Sequence, residues 1–180
     1  DLAVNQHFVD SRDKAIILQN GEIGIVGYDQ GRIELSGFVS AKYTPTKRLG
    51  LAVNLREEMY KDTFTPLIPG FFADYLVSRR GHIVLKASIA RNYRTPTLND
   101  LFFMPGGNPD LKTEKGYTYD GGVEFTMKNK HLTFRGELTA YDSHIRDWIL
   151  WVRPYDGAYY MTPINVKKVH SYGLESKGKF

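Results

Sequence analysis

The side chains best suited to chemistry in this 180-residue sequence are five histidines, His7, His82, His131, His144 and His170, and a scatter of carboxylates. A metal pair within one strand or helix needs histidines about two or four residues apart, so that both rings leave the same face. No two of the five have that spacing, so rim or loop positions explain them and no metal site is expected. Asp142-Ser143-His144 holds the residue types of a nucleophilic triad. Adjacency in sequence is not triad geometry, and the tripeptide reads as solvated turn residues where a strand ends. Glu57-Glu58 offers a carboxylate pair, but consecutive strand residues point to opposite faces. The acids Asp62, Asp74, Asp100 and Asp110 lack the alternating oxygen spacing of a calcium loop. Gly24 to Gly31 and Gly106-Gly107 precede no helix pattern, so neither reads as a phosphate cradle. No catalytic constellation survives, no cofactor is implied and no enzyme is expected.

The elements that would position such groups are strands. Tyr117, Tyr119, Gly121, Val123, Phe125 and Met127 alternate with Thr118, Asp120, Gly122, Glu124, Thr126 and Lys128, the pattern of a strand with one apolar and one polar face. Leu132, Phe134, Gly136, Leu138 and Ala140 repeat it against Thr133, Arg135, Glu137, Thr139 and Tyr141, and Asn129-Lys130 makes the two a hairpin. Further strands are expected near Ile33 to Tyr43 and Leu49 to Met59, turned by Thr44 to Arg48. Others fall near Ile83 to Ile89, Trp148 to Arg153 and Val169 to Phe180, with weaker ones over Lys14 to Leu18 and Glu22 to Tyr28 around Asn20-Gly21. No amphipathic helix has a start and a stop signal. The long connectors are Tyr60 to Arg80, Asn92 to Gly116 and Pro154 to Lys168, and aromatics cluster at their bases.

Composition narrows the class. Lys and Arg total 24 against 20 Asp and Glu, and the net charge of +4 is scattered singly, which gives no nucleic-acid footprint. The absence of cysteine removes disulfide scaffolds, thiolate catalysis and thiolate metal sites. No stretch approaches the ~18 to 20 apolar residues of a membrane-spanning helix, which leaves transmembrane barrels untouched. The chain opens at Asp1 without a signal segment and reads as an internal or processed fragment. Strands of about 10 to 12 residues are roughly twice the usual globular length and suit a barrel whose span is fixed by a bilayer. Alternation alone also fits a soluble, secreted β-sandwich that binds carbohydrate through Trp148, Trp151, Tyr155, Tyr159 and Tyr160.

One stretch separates these readings. Arg91-Asn92-Tyr93-Arg94-Thr95-Pro96-Thr97-Leu98-Asn99-Asp100-Leu101, then Gly107-Asn108-Pro109-Asp110-Leu111-Lys112-Thr113-Glu114, then Tyr119-Asp120-Gly121-Gly122-Val123-Glu124 closely resembles the barrel of TonB-dependent outer-membrane receptors. In that family a strand ends in an F-R-x-P-T box, a loop carries G-N-P-x-L-x-P-E, and the next strand carries Y-E-x-G. Here Tyr93 replaces the usual Phe, Thr113 the usual Pro and Asp120 the usual Glu. Gly173-Leu174-Glu175 resembles the family's G-x-E strand start. The family motif thus falls on Arg94, Pro96, Thr97, Asn108, Pro109, Leu111 and Glu114. Pro96 lacks an amide donor and ends the ladder, Asn108-Pro109 turns the return path, and Arg94 and Glu114 stand where they can face each other.

The resemblance implies an all-β fold, about eight or nine antiparallel strands of a larger plugged barrel of about 22. Residues 1–180 would be a fragment of the barrel domain, with the plug domain absent. It implies a bacterial cell outer-membrane receptor, not an enzyme, that imports a metal chelate or cofactor with energy from TonB. Outer-membrane lipid, the plug, TonB and the small-molecule ligand would be its partners. A haem receptor of the family would carry a histidine between the two boxes, and Leu98 to Gly107 has none, which leaves cobalamin or a ferric siderophore. Ligand contacts are expected on the three long connectors, through Phe102, Phe103, Tyr155, Tyr159 and Tyr160.

Overall fold

The computed structural model describes residues 2–10, 14–17, 23–60, 63–78 and 82–180. In chain order the elements are β1 (Leu2–Asp10), β2 (Lys14–Ile17), β3 (Ile23–Val26), β4 (Asp29–Tyr43), β5 (Leu49–Tyr60), β6 (Thr63–Phe64), β7 (Ile68–Ser78), β8 (Ile83–Arg94), α1 (Leu98–Phe102), β9 (Glu114–Lys128), β10 (Thr133–Val152) and β11 (Thr162–Lys179). One antiparallel sheet runs β1-β4-β5-β7-β8-β9-β10-β11, with the short β6 paired to β5, while β2 and β3 form a separate hairpin. Apart from the β2–β3 insertion, each main strand pairs with the next, so alternate connections gather at opposite rims.

The turns at one rim are tight. Thr46 Oγ1 accepts from the backbone amides of Arg48 at 3.2 Å and Leu49 at 3.0 Å, which closes the β4–β5 turn. The Asn129 amide donates to the Leu132 carbonyl at 2.8 Å and closes β9–β10. At the opposite rim the connections are long, residues 95–113 between β8 and β9 and 153–161 between β10 and β11.

Register turns the alternation into two faces. Leu49, Tyr75, Leu85, Val123 and Leu138 lie directly opposite one another across five strands and form a continuous apolar row. Leu85 is 48% and Leu138 40% exposed, and no second layer covers this row among the described residues. The other face is polar and cross-linked. Lys86 Nζ lies 2.5 Å from Glu124 and 3.5 Å from Glu137, Ser88 donates to Asp120 at 2.7 Å, and Asn92 donates to Thr118 at 2.6 Å. A soluble sandwich buries its apolar face and wets its polar one. Here the apolar row is left uncovered, the arrangement of a barrel wall in lipid, and the sandwich reading falls.

Several sequence expectations change. Residues 60–80 are not one long connector, because β7 occupies Ile68–Ser78 and pairs with both β5 and β8. Its Pro69-Gly70 start and the Phe71-Phe72 doublet break the alternation that would reveal it. The other two loops are shorter than expected, since β8 runs to Arg94, β9 starts at Glu114 and β11 starts at Thr162. Leu132 to Tyr141 and Trp148 to Arg153 are not two strands but one, β10, of 20 residues. Asp142-Ser143-His144 is therefore mid-strand and not a turn. The ladder to β11 continues to Val152↔Thr162 and carries the chain past Asp147, whose φ is +57°. His7, His144 and His170 also lie in strands. β1 and α1 were unexpected. The turn expected at Asn20-Gly21, and Asp62, lie outside the described residues.

Candidate functional site

The long-connector rim is organised by the residues that carry the family motif. β8 ends and β9 begins on the pair Arg94↔Glu114, and the guanidinium reaches the Glu114 carboxylate at 2.5 Å. Glu114 is 5% exposed, and the same Oε1 accepts the Ile149 amide of β10 at 3.0 Å. A second guanidinium nitrogen of Arg94 lies 3.2 Å from Asp100. Buried carboxylates persist only when paired and hydrogen-bonded, and these two share one arginine.

Asp100 also fixes the helix. Pro96 ends the ladder and is fully buried. Thr97 caps α1 with its hydroxyl accepting the Asp100 amide at 3.1 Å, and the Asp100 carboxylate returns to the Thr97 amide at 2.9 Å. The other Asp100 oxygen accepts Trp151 Nε1 at 3.0 Å. Thus the β8–β9 loop is tied to β10 through one buried carboxylate, and Phe103 packs edge-on against Trp151 with ring centroids 5.9 Å apart. On the other side Arg32 of β4 donates to the Pro96 carbonyl at 2.6 Å, and the Tyr28 hydroxyl donates to Asn99. Tyr28 is buried, and burial pushes its phenol above the ordinary value of 10.0.

The G-N-P half of the motif binds the neighbouring strand. Asn108 turns the chain by accepting the Asp110 amide at 3.0 Å, while its Nδ2 donates to the carbonyl of buried Pro163 at 3.0 Å. Asn165 brackets Lys112, accepting its amide at 2.8 Å and donating to its carbonyl at 3.0 Å. Gly106 sits against the 153–161 loop so closely that a Cβ there would stand 1.8 Å from the Met161 carbonyl oxygen. The two long loops are in direct backbone contact because this residue has no side chain.

Of the five aromatic candidates, Tyr159 is 86%, Tyr155 58% and Phe103 45% exposed, and Tyr159 and Tyr160 meet edge-on at 5.3 Å. Phe102 turns instead towards Tyr28, at 6.1 Å. Leu111 is half-buried and Pro109 exposed in the same loop. The motif residues hold the loops, and the exposed aromatics form their outer surface. The anchors Asp100 and Asn165 were not among the expected site residues, and Trp151 was expected only as a carbohydrate contact of the sandwich alternative; the Thr97-x-x-Asp100 spacing was the available signal for the first.

A sheet with an uncovered apolar face, long strands, tight turns at one rim and structured loops at the other defines a segment of a transmembrane β-barrel. Over residues 2–180 the chain matches the family described as "TonB dependent receptor-like, beta-barrel", and it belongs to that family. It is 29% identical over 99 residues to a vitamin B12 transporter BtuB of Photobacterium profundum, a match covering 53% of this chain and 16% of the relative. With the vitamin B12 transporter BtuB of Vibrio vulnificus it shares 30% identity over 94 residues, 52% of this chain and 14% of that protein. The chain spans a small part of the length of these relatives. Among solved structures it is similar to the siderophore receptor PirA from Pseudomonas aeruginosa, with a TM-score of 0.68 at 20% identity, covering 82% of this chain and 28% of that one. The copper transporter OprC gives 0.65 at 15% identity, covering 90% and 30%. At such identities the likeness shows the fold.

Proposed function

We propose that this chain is part of the barrel domain of a longer bacterial outer-membrane receptor. That receptor binds a scarce metal chelate or cofactor at its long-loop rim and imports it with energy supplied through TonB. The observation that carries the reading is the pairing of an uncovered apolar face with a rim where two loops are locked together and present aromatic surface. Binding groups concentrate on loops held by a rigid scaffold, and the Arg94–Asp100–Glu114–Trp151 network is such a scaffold. A plug domain, the TonB contact and the rest of the barrel belong to the longer protein. Cobalamin is the favoured ligand class, because two relatives are named vitamin B12 transporters. Ferric siderophores are the alternative, and a siderophore receptor shares the fold.

The test uses the full receptor in detergent. Cyanocobalamin and a panel of ferric siderophores are titrated against wild type and against a variant with alanine at Phe103, Tyr155, Tyr159 and Tyr160. Saturable binding of one class, weakened in the variant at equal membrane level, is the expected result. Absence of binding for every compound, or undiminished binding by the variant, would overturn it.

A further inference from the structure

The register places His144 of β10 directly opposite His170 of β11. The two rings stack with centroids 4.2 Å apart and planes 11° from parallel. Asp142 lies two residues before His144 on the same face, and its carboxylate spans the pair. One oxygen is 2.6 Å from His144 Nε2 and the other 3.1 Å from His170 Nε2. The nearer oxygen is closed off from solvent and makes no hydrogen bond, although His144 Nε2 lies beside it. One ligand atom from each residue falls within a 4.8 Å cluster. Nothing in the loop network or the ligand surface uses these three side chains.

We propose that Asp142, His144 and His170 form a binding site for a borderline divalent transition metal such as Zn²⁺, Cu²⁺ or Ni²⁺. Two imidazoles and one carboxylate are the donor set such ions take, with remaining positions open to water or an outside ligand. Tetrahedral bonds of ~2.0 to 2.1 Å put donor atoms ~3.3 Å apart, so rotamer adjustment within the present cluster suffices. The ion would also bind the carboxylate oxygen that makes no hydrogen bond. The sheet fixes the spacing, since a directly opposed cross-strand pair brings side chains within reach without any local sequence motif.

The cluster lies on the outward face, towards the long-loop rim, beside Tyr172, whose ring is 5.1 Å from that of His170. It opens on a groove of about 480 Å³ lined also by Arg91, Lys115, Tyr117, Arg146 and Lys168. These cations oppose a bare dication, but the histidines are 59% and 48% exposed in their side chains and salt screens the repulsion. Affinity in the micromolar range is therefore expected, short of that of an enclosed site.

The experiment is Cu²⁺ binding to the full receptor in detergent, followed by competition with a chromophoric chelator and by electron paramagnetic resonance. Wild type should bind one more ion than His144→Ala or His170→Ala, and its spectrum should show coupling to two nitrogens. Asp142→Asn should weaken that site at least tenfold, and His131→Ala, at the far rim, should leave it unchanged. Heat-modifiable gel mobility establishes that each variant is assembled, and His144→Gln and His170→Gln replace any alanine variant that is not. Equal stoichiometry and spectra in wild type and the assembled histidine variants would overturn the proposal.

Discussion

Replacing Asp100 by alanine should open the β8–β9 loop without disturbing the barrel wall. Asp100 is 3% exposed and accepts hydrogen bonds from the Thr97 amide at 2.9 Å, Trp151 Nε1 at 3.0 Å and Arg94 at 3.2 Å. Both the Thr97 amide and Trp151 Nε1 donate to a charged carboxylate, and such bonds are each worth about 1.5 to 3 kcal/mol. The arginine term is discounted because its side chain is 47% exposed and keeps Glu114 as a partner. The sum is roughly 3 to 6 kcal/mol, felt as local opening of residues 95–113, since every strand ladder remains. At about 1.4 kcal/mol per tenfold, opening should rise roughly a hundred- to twenty-thousand-fold. Hydrogen exchange of the full receptor in detergent reads this directly. Peptides from 95–113 should exchange faster by that factor, and peptides within β9 should be unchanged. Asp100→Asn, which keeps an acceptor oxygen, should fall between. Wild-type protection in the loop of Asp100→Ala, or equal loosening throughout β9 and β10, would refute the latch.

Other expectations follow from the same geometry. Lysine at Val123 or Leu138 should cost about 2 to 4 kcal/mol near the bilayer midplane, less at Phe125 and Phe134 closer to the tight-turn rim, and Thr126→Lys far less, as read by urea titration of barrel assembly. Gly106→Ala should separate the two long loops and weaken ligand capture, measured by equilibrium binding, with assembly intact. The raised phenol of Tyr28 means that its contact is fully present below the ordinary tyrosine value near 10.0 and is lost as pH climbs through the higher folded value. Exchange in 95–113 should therefore accelerate only in strong alkali, and less so in Tyr28→Phe. The chain reconstituted alone in liposomes should give no saturable uptake, because β1 and β11 leave open edges.

The strands with clean alternation, β4, β5, β9 and the first half of β10, were legible because one face is apolar along its whole length. The rest hid for identifiable reasons. β7 opens on Pro69-Gly70 and carries adjacent phenylalanines on opposite faces, so its pattern reads as loop. α1 is a single turn, too short to show a helical period, and only the Thr97–Asp100 spacing announces it. The two halves of β10 were read separately because the join over Asp142 to Asp147 is held by the ladder to β11, and Asp147 with positive φ would end an isolated strand. At the rim, the Arg94–Glu114 facing followed from the motif. The roles of Trp151 and Asn165 did not, since they arise from packing 51 and 53 residues away in sequence. His144 and His170 were unreadable for the same reason.

In the proposed barrel Val123 and Leu138 face lipid while Thr126 and Thr139 face the lumen. The chain has no cysteine, so single cysteines at these positions, in a full receptor freed of other reactive thiols, can be spin-labelled and the protein placed in bilayers. Collision with dissolved oxygen and with a water-soluble nickel chelate then reports the surroundings of each label. The expected result is oxygen-dominated relaxation at Val123 and Leu138 and chelate-dominated relaxation at Thr126 and Thr139. The opposite order, or chelate access at all four, would contradict the barrel account.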